Sequence, residues 1–238
     1  MRDFLTDFNS RVQEIEQYFE FVTKITELEN HKQEAILFPD KTQYVIANSL
    51  QKILRANCYL LLYNLVESSI RNGVIAIYDV IHDKKLGYTE VNDKIQEIWL
   101  TQRCQGLTDP AISEKNIVKT VEEILAEVSQ KNPLSLEKSQ LPISGNLDFE
   151  AIDQLTHQYG FYGKITQENS HLKFVLGIIK KMRNDIAHGN VSFSESVKNT
   201  TMQELKEHKD VVVAYLRDVL RNIDEYLSDC KYKSDCKY

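Results

Sequence analysis

Glycine and proline are both scarce in this chain, eight and four in 238 residues. All four prolines (Pro39, Pro110, Pro133, Pro142) fall between stretches of helical periodicity rather than inside them. That is the punctuation of an all-α protein. Long apolar runs are missing too. The longest, Cys58 to Leu62 extended through Tyr63, falls far short of the roughly 20 residues a membrane span needs. The opening MRDFLTDFNSRVQEIEQ is charged and has no apolar stretch of the kind a secretory signal requires. A soluble protein with no membrane partner is therefore expected.

Positive charge is short as well. A net charge of −6 excludes a protein that coats nucleic acid by bulk electrostatics. It leaves room for a local basic lining, for which Lys173, Lys180, Lys181 and Arg183 are placed closely enough along the chain; the same residues also read as an ordinary solvated face. The four cysteines (Cys58, Cys104, Cys230, Cys236) show no C-x2-C clustering and no histidines at zinc-like spacing. Cys58 reads as a small core residue, and a reducing cytoplasm is the expected compartment. A glycine-rich phosphate loop, HExxH and GxSxG are all absent, and the carboxylates do not cluster as metal ligands. No cofactor or metal is expected. His31, His82, His157, His171 and His208 are scattered and read as solvated residues.

What the chain does contain is helical periodicity. Residues 3 to 29 place Phe4, Phe8, Val12, Ile15, Phe19 and Val22 on one face of an outer helix, followed by a connection through Pro39. From about Ala47 to Asp83 runs the longest pattern, apolar on nearly every face in its middle, as in a helix buried in a bundle or at a subunit contact. Asn64, Glu67, Ser68 and Arg71 share one polar stripe along it. Buried unpaired, each such group costs about 1 to 3 kcal/mol, so the stripe must be hydrogen-bonded or wet. It can face a catalytic cleft, with Glu67 orienting a neighbouring arginine or imidazole, or hold a purely structural Glu67 to Arg71 pair.

Thr89 is suited to cap a helix to about Gln105, and Ser113 opens another to Lys131. Residues 132 to 147 have no period and read as a loop, after which Asp148 caps a short helix closed at Gly160. Residues 107 to 167 are read as an elaboration inserted between two halves of a helical core. From about Asn169, Leu172, Val175, Leu176, Ile179 and Met182 form the apolar side of a helix, with Gly177 suggesting close approach of another helix or of a dimer mate. A loop with Phe193 leads to a last helix from about Thr201 to Leu227. The tail repeats Ser-Asp-Cys-Lys-Tyr at 228 to 232 and 234 to 238, and fraying is expected there. The organisation read is one domain over 1–238, with 1–44 as outer helix and connection, 107–167 inserted and 228–238 flexible.

The chemistry concentrates in Lys180 to Asn190, where an arginine, an adjacent amide and a histidine five positions on close an apolar helical run. Arg183 can bind phosphate and His188 titrates near neutrality, a pair suited to cleaving RNA. A histidine before Gly189 is also a plain way to end a helix. Five residues at 3.6 per turn set Arg183 and His188 roughly 140° apart, so a shared site needs a second surface.

Arg183, Asn184 and His188 match the R-polar-x3-H signature of the HEPN superfamily (higher eukaryotes and prokaryotes nucleotide-binding). Tyr59 to Ile81 and Gly189 to Glu195 resemble its MAE-type branch, and that likeness covers most of residues 45 to 230. The resemblance implies an antiparallel HEPN-like helical bundle and a metal-independent endoribonuclease, a prokaryotic toxin or defence RNase, active as a homodimer with two motifs facing each other across a cleft. It further implies His188 as general base or acid, Arg183 on the scissile phosphate, Asn184 orienting one of them or bonding the phosphate, and an antitoxin as a partner; Lys180 and Lys181, from their place on the motif helix, are read as RNA-binding. Some relatives carry a tyrosine two residues after the histidine, the target of a nucleotidyltransferase antitoxin. Here that position is Asn190, which removes that mode of control. The alternatives are a HEPN-type module that binds nucleotide or protein without cleaving, and a helical adaptor docking through 107–167.

Overall fold

The computed structural model describes residues 2–30, 35–107, 111–143, 145–166 and 168–235, the side chains of 28–30 and 35 excepted. The order of elements is α1 (Asp3–Asn30), β1 (Ala35–Leu37), β2 (Gln43–Val45), α2 (Asn48–Asp83), α3 (Asp93–Arg103), α4 (Glu114–Ser129), α5 (Phe149–Tyr159), α6 (Asn169–Ala187), α7 (Phe193–Ser196) and α8 (Met202–Ser228). Short 3-10 turns stand at Tyr88–Glu90 and Lys138–Gln140. The fold is all-α but for one small hairpin. No described helix is long and apolar enough to cross a membrane.

The chain divides into two compact units. The first comprises Met1–Ser69, Gly145–Glu150 and Ile165–Arg217; the second comprises Ile70–Ser144, Ala151–Lys164 and Asp218–Tyr238. These boundaries differ from a single domain with 107–167 inserted. They fall within the continuous helices α2 and α8, and six residues from the middle of the expected insertion, Gly145–Glu150, belong to the first unit.

In the first unit, α1 buries Phe4, Phe8, Val12, Ile15, Phe19 and Val22, the set its 3.6-residue spacing selects. Cys58, Tyr59, Leu62, Tyr63, Leu65 and Val66 of α2 are all buried, as a helix apolar on most faces must be. Each such side chain contributes about 1.5 to 3 kcal/mol on burial. Burial pushes the Cys58 thiol up to about 12, which makes it inert. The expected connection after α1 is in part a hairpin: Ala35 pairs with Val45 and Leu37 with Gln43. Phe38 N–H bonds to the Thr42 carbonyl, and Asp40 accepts from Thr42 N–H and hydroxyl. Three-residue strands are too short to show a period-two pattern. Phe193 opens the short helix α7, which Ser192 caps by accepting from Glu195 N–H, where a loop was expected. Gly177 has no atom within 4 Å of where its β-carbon would stand, so no described segment of the chain makes the close approach expected there.

In the second unit, α3 begins one turn later than expected: Asn92, not Thr89, accepts from Ile95 N–H. Thr89 lies in the preceding 3-10 turn. Tyr78 and Tyr159 share a 2.7 Å hydroxyl contact in the core, with Gln102 donating to Tyr78. α5 closes at Gly160, whose φ of +80° is the left-handed conformation a helix end asks of glycine. Residues 229–235 do not fray: Tyr232 is fully buried, its carbonyl accepts from Asn92 N–H, and Lys233 bridges Val91. Tyr232 packs near Tyr226, ring centres 6.2 Å apart, and that burial outweighs the tail's polar composition. The last three residues of the repeat lie outside the described residues.

Candidate functional site

Within the first unit, α6 buries Leu172, Val175, Leu176, Ile179 and Ile186, which leaves Arg183 and Asn184 half-buried and His188 exposed. Its end is a full glycine cap. Gly189 takes φ +70°, its N–H bonds to the Ile186 carbonyl, and Asn190 N–H bonds to the Asp185 carbonyl. These are the two hydrogen bonds of a Schellman terminus. The cap fixes His188 as the last half-helical residue, with its backbone N–H on the Asn184 carbonyl. The imidazole itself is exposed and makes no hydrogen bond or ion pair with the described residues.

Arg183 is the opposite case. Its guanidinium lies over the Tyr63 ring, 4.3 Å from the centroid. Nη1 donates to the Gly145 carbonyl at 2.9 Å and to Asn184 Oδ1 at 2.7 Å. Glu67 Oε2 stands 3.7 Å from Nη2. Cation–π contact, two charge-assisted hydrogen bonds and a carboxylate together hold the fork in one orientation. Asn184 in turn donates through Nδ2 to Asn146 Oδ1 at 2.9 Å.

One short segment accounts for most of these contacts. Gly145 gives its carbonyl to Arg183, Asn146 its amide oxygen to Asn184, Leu147 its N–H to the Tyr63 hydroxyl at 3.0 Å, and Asp148 its carboxylate to Lys180. A β-carbon at Gly145 would stand 3.0 Å from Arg183 Nη2, so glycine permits the close approach. Burial raises the Tyr63 phenol above its ordinary value, against the pull of the Leu147 N–H and the Arg183 charge, so the hydroxyl stays protonated. Asp148, expected as a helix cap, immediately precedes α5 and is also the ion partner of Lys180.

Of the polar stripe on α2, Glu67 meets the motif. Asn64 accepts from Arg11 at 3.4 Å, Ser68 turns back to the Leu65 carbonyl, and Arg71 donates to the Ile143 carbonyl in the second unit. The basic side chains near the motif are each matched by a carboxylate: Lys173 by Glu150, Lys180 by Asp148, Lys181 by Asp185 at 2.6 Å. The Lys181 bond lowers the Asp185 carboxyl below its usual range, and the Lys173 bond does the same to Glu150. The described residues contain no group of three or more metal-ligating side chains.

The structure thus joins Arg183, Asn184 and Glu67 and adds Tyr63, Gly145 and Asn146, which sequence reasoning missed. Tyr63 was hidden among apolar residues, and Gly145–Asn146 in an aperiodic loop. A Gly-Asn pair in a loop that must pass a charged helix end was the one available signal. His208 also departs from expectation. It packs against Tyr59, ring centres 6.3 Å apart, and burial lowers its pKa.

The all-α architecture is consistent with a HEPN-like helical fold. A family model described as "HEPN_MAE_28990:/-like HEPN" matches residues 2–232, and the chain belongs to that family. Membership points to a nuclease or a nucleotide-binding module. No curated protein and no solved structure matches the chain.

Proposed function

We propose that the chain is a metal-independent endoribonuclease. The observation that carries the reading is the locked guanidinium of Arg183, held by Tyr63, Gly145, Asn184 and Glu67 on the helix that ends in the unencumbered imidazole of His188. A fork fixed in advance spends no ordering entropy when a phosphate arrives, and its charge is available to the oxygens of a pentacoordinate phosphorus. The ribose 2′-oxygen attacks phosphorus, the bond to the 5′-oxygen breaks, and a 2′,3′-cyclic phosphate and a 5′-hydroxyl result. One imidazole removes the 2′ proton and another protonates the leaving oxygen, a contribution of roughly 10² to 10⁴-fold. A homodimer supplies two copies of His188, which answers the separation of Arg183 and His188 around α6. Asn184 orients the arginine. Lys180 and Lys181 reach RNA only by leaving Asp148 and Asp185. The biological setting that fits is a prokaryotic toxin or defence RNase restrained by an antitoxin protein.

The test is incubation of purified protein with total RNA in excess EDTA, beside Arg183→Ala and His188→Ala. Cleavage by the wild type alone, leaving cyclic phosphates, supports the proposal. Intact RNA from a folded dimer refutes it in favour of a binding module.

A further inference from the structure

The Gly145–Asp148 segment does more than brace the motif, and its Asn146 ends the hydrogen-bond relay that starts at Glu67. Glu67 faces Arg183, Arg183 donates to Asn184, and Asn184 donates to Asn146 Oδ1. Each amide in the relay accepts on its oxygen, so its polarity is fixed. What remains at the end is the Asn146 Nδ2 group, two donors on an exposed residue with no partner among the described residues. Arg183 is partly used up in the same relay: Nη1 spends its hydrogens on Gly145 and Asn184, which leaves Nε, and Nη2 with Glu67 3.7 Å away. The surface around the guanidinium therefore offers donors, beside a positive charge.

We propose that Asn146 is a further substrate-contacting residue, donating from Nδ2 to a phosphate oxygen of the RNA chain beside the one held by Arg183. This rests on the endoribonuclease reading and names a contact that reading lacks. An anion suits the place because a donor-only amide next to a guanidinium offers nothing to a donor on the ligand. The segment brings Asn146 there because Gly145 lacks a β-carbon and Leu147 N–H is pinned to Tyr63.

The test uses full-length His188→Ala protein, so that RNA is bound and not cut, with fluorescent oligo(A), oligo(U) and oligo(C) read by anisotropy. Asn146→Asp keeps the oxygen that Asn184 needs and replaces the donors with a negative charge. Affinity is expected to fall roughly tenfold or more, equally on all three sequences, as a phosphate contact requires. Asn146→Ala is expected to cost about three- to tenfold. In the His188 background the same changes are expected to raise KM with kcat changed less than about threefold, a uniform-binding signature. Unchanged affinity of Asn146→Asp, with the parent binding RNA, overturns the assignment and leaves the nuclease reading standing. A loss confined to one oligonucleotide overturns the phosphate contact in favour of a base contact. A parent that binds none of the three, together with a wild type that cuts none, sinks the nuclease reading and this inference with it.

Discussion

Arg183 and His188 belong to one motif, yet the structure assigns them opposite roles in stability, and replacing each by alanine exposes the difference. Removing the Arg183 guanidinium takes away the cation that faces the Gly145 carbonyl, Asn184 Oδ1 and Glu67. Hydrogen bonds to a charged donor contribute about 1.5 to 3 kcal/mol each. The Arg183 side chain is 26% exposed, so water replaces part of each bond and the lower end applies. The Tyr63 contact adds about 0.5 to 1 kcal/mol. The Glu67 pair, at 3.7 Å and 28% exposed on the carboxylate side, adds less than about 1 kcal/mol. Arg183→Ala is expected to cost about 3.5 to 5 kcal/mol, a fall in Tm of roughly 7 to 20 °C for a chain of this size.

His188→Ala removes an exposed imidazole while the helix stop, made by Gly189 and backbone hydrogen bonds, stays in place. Its Tm is expected within about 1 °C of wild type, as for an exposed side chain without a partner among the described residues. Differential scanning fluorimetry on the two variants decides the matter. Equal shifts, or an Arg183→Ala Tm unchanged, would refute the account of the arginine as a cross-braced residue. The outcome governs how activity data are read, because lost cleavage in Arg183→Ala is informative only below its lowered Tm. Arg183→Lys is no substitute control: an ammonium cannot bond Gly145 and Asn184 in the planar geometry of the fork.

Glu67→Gln keeps the shape and removes the charge facing Arg183; if Glu67 positions the fork, kcat falls several-fold with stability little changed, and full retention of activity removes that role. Gly145→Ala pushes a β-carbon to 3.0 Å from Arg183 Nη2, so the guanidinium must shift by a few tenths of an ångström; cleavage is expected to fall about tenfold, and unaltered rates would show that the segment yields instead. Burial lowers the His208 pKa below its ordinary 6.5, with His171 reinforcing and Glu204 and Glu207 opposing. The unfolded chain then binds a proton that the folded chain resists, so this contribution to stability is present above pH 6.5 and is lost as pH falls through and below it. Urea midpoints at pH 8 and pH 5.5 should show a smaller drop for His208→Gln than for wild type, and parallel drops would contradict the sign.

The helices were legible in the sequence because their stabilising force is apolar periodicity, which is local: the buried set of α1, the broad buried face of the middle of α2 and the buried face of α6 follow from spacing. Glu67 was legible because a carboxylate in an apolar helix needs a partner. What escaped was set by long-range contact. The Gly145–Asp148 segment has no period, and its meaning lies in residues 32 to 84 positions away. Tyr232 reads as part of a polar tail until a core cavity is known to await it. The capping residue of α3 slipped from Thr89 to Asn92 because both can cap, and the choice lies in the 3-10 turn that consumes Thr89.

The pairing of every lysine around the motif with a carboxylate bears on how RNA would be held. A bound single strand releases counterions in proportion to the phosphates that protein cations neutralise, and log K falls against log salt with slope about −0.7 per phosphate. Were Lys173, Lys180 and Lys181 available with Arg183, four cations would give a slope near −3 per protomer. As they stand, Glu150, Asp148 and Asp185 already neutralise the three lysines, and Asn146 donates without charge. Arg183, whose carboxylate neighbour Glu67 stands farther off at 3.7 Å, is left as the principal phosphate cation, and the expected slope per protomer is about −0.7 to −1. Anisotropy titrations of His188→Ala with oligo(U) from low to moderate salt measure it directly. A slope near −3 would mean that the lysines leave their carboxylates to cover the RNA, and Asp148→Asn would then tighten binding by freeing Lys180. A slope near −1, with Asp148→Asn without effect on it, would place recognition in the fixed geometry of Arg183 and its braces rather than in a basic surface, which is how a chain of net charge −6 can handle a polyanion at all.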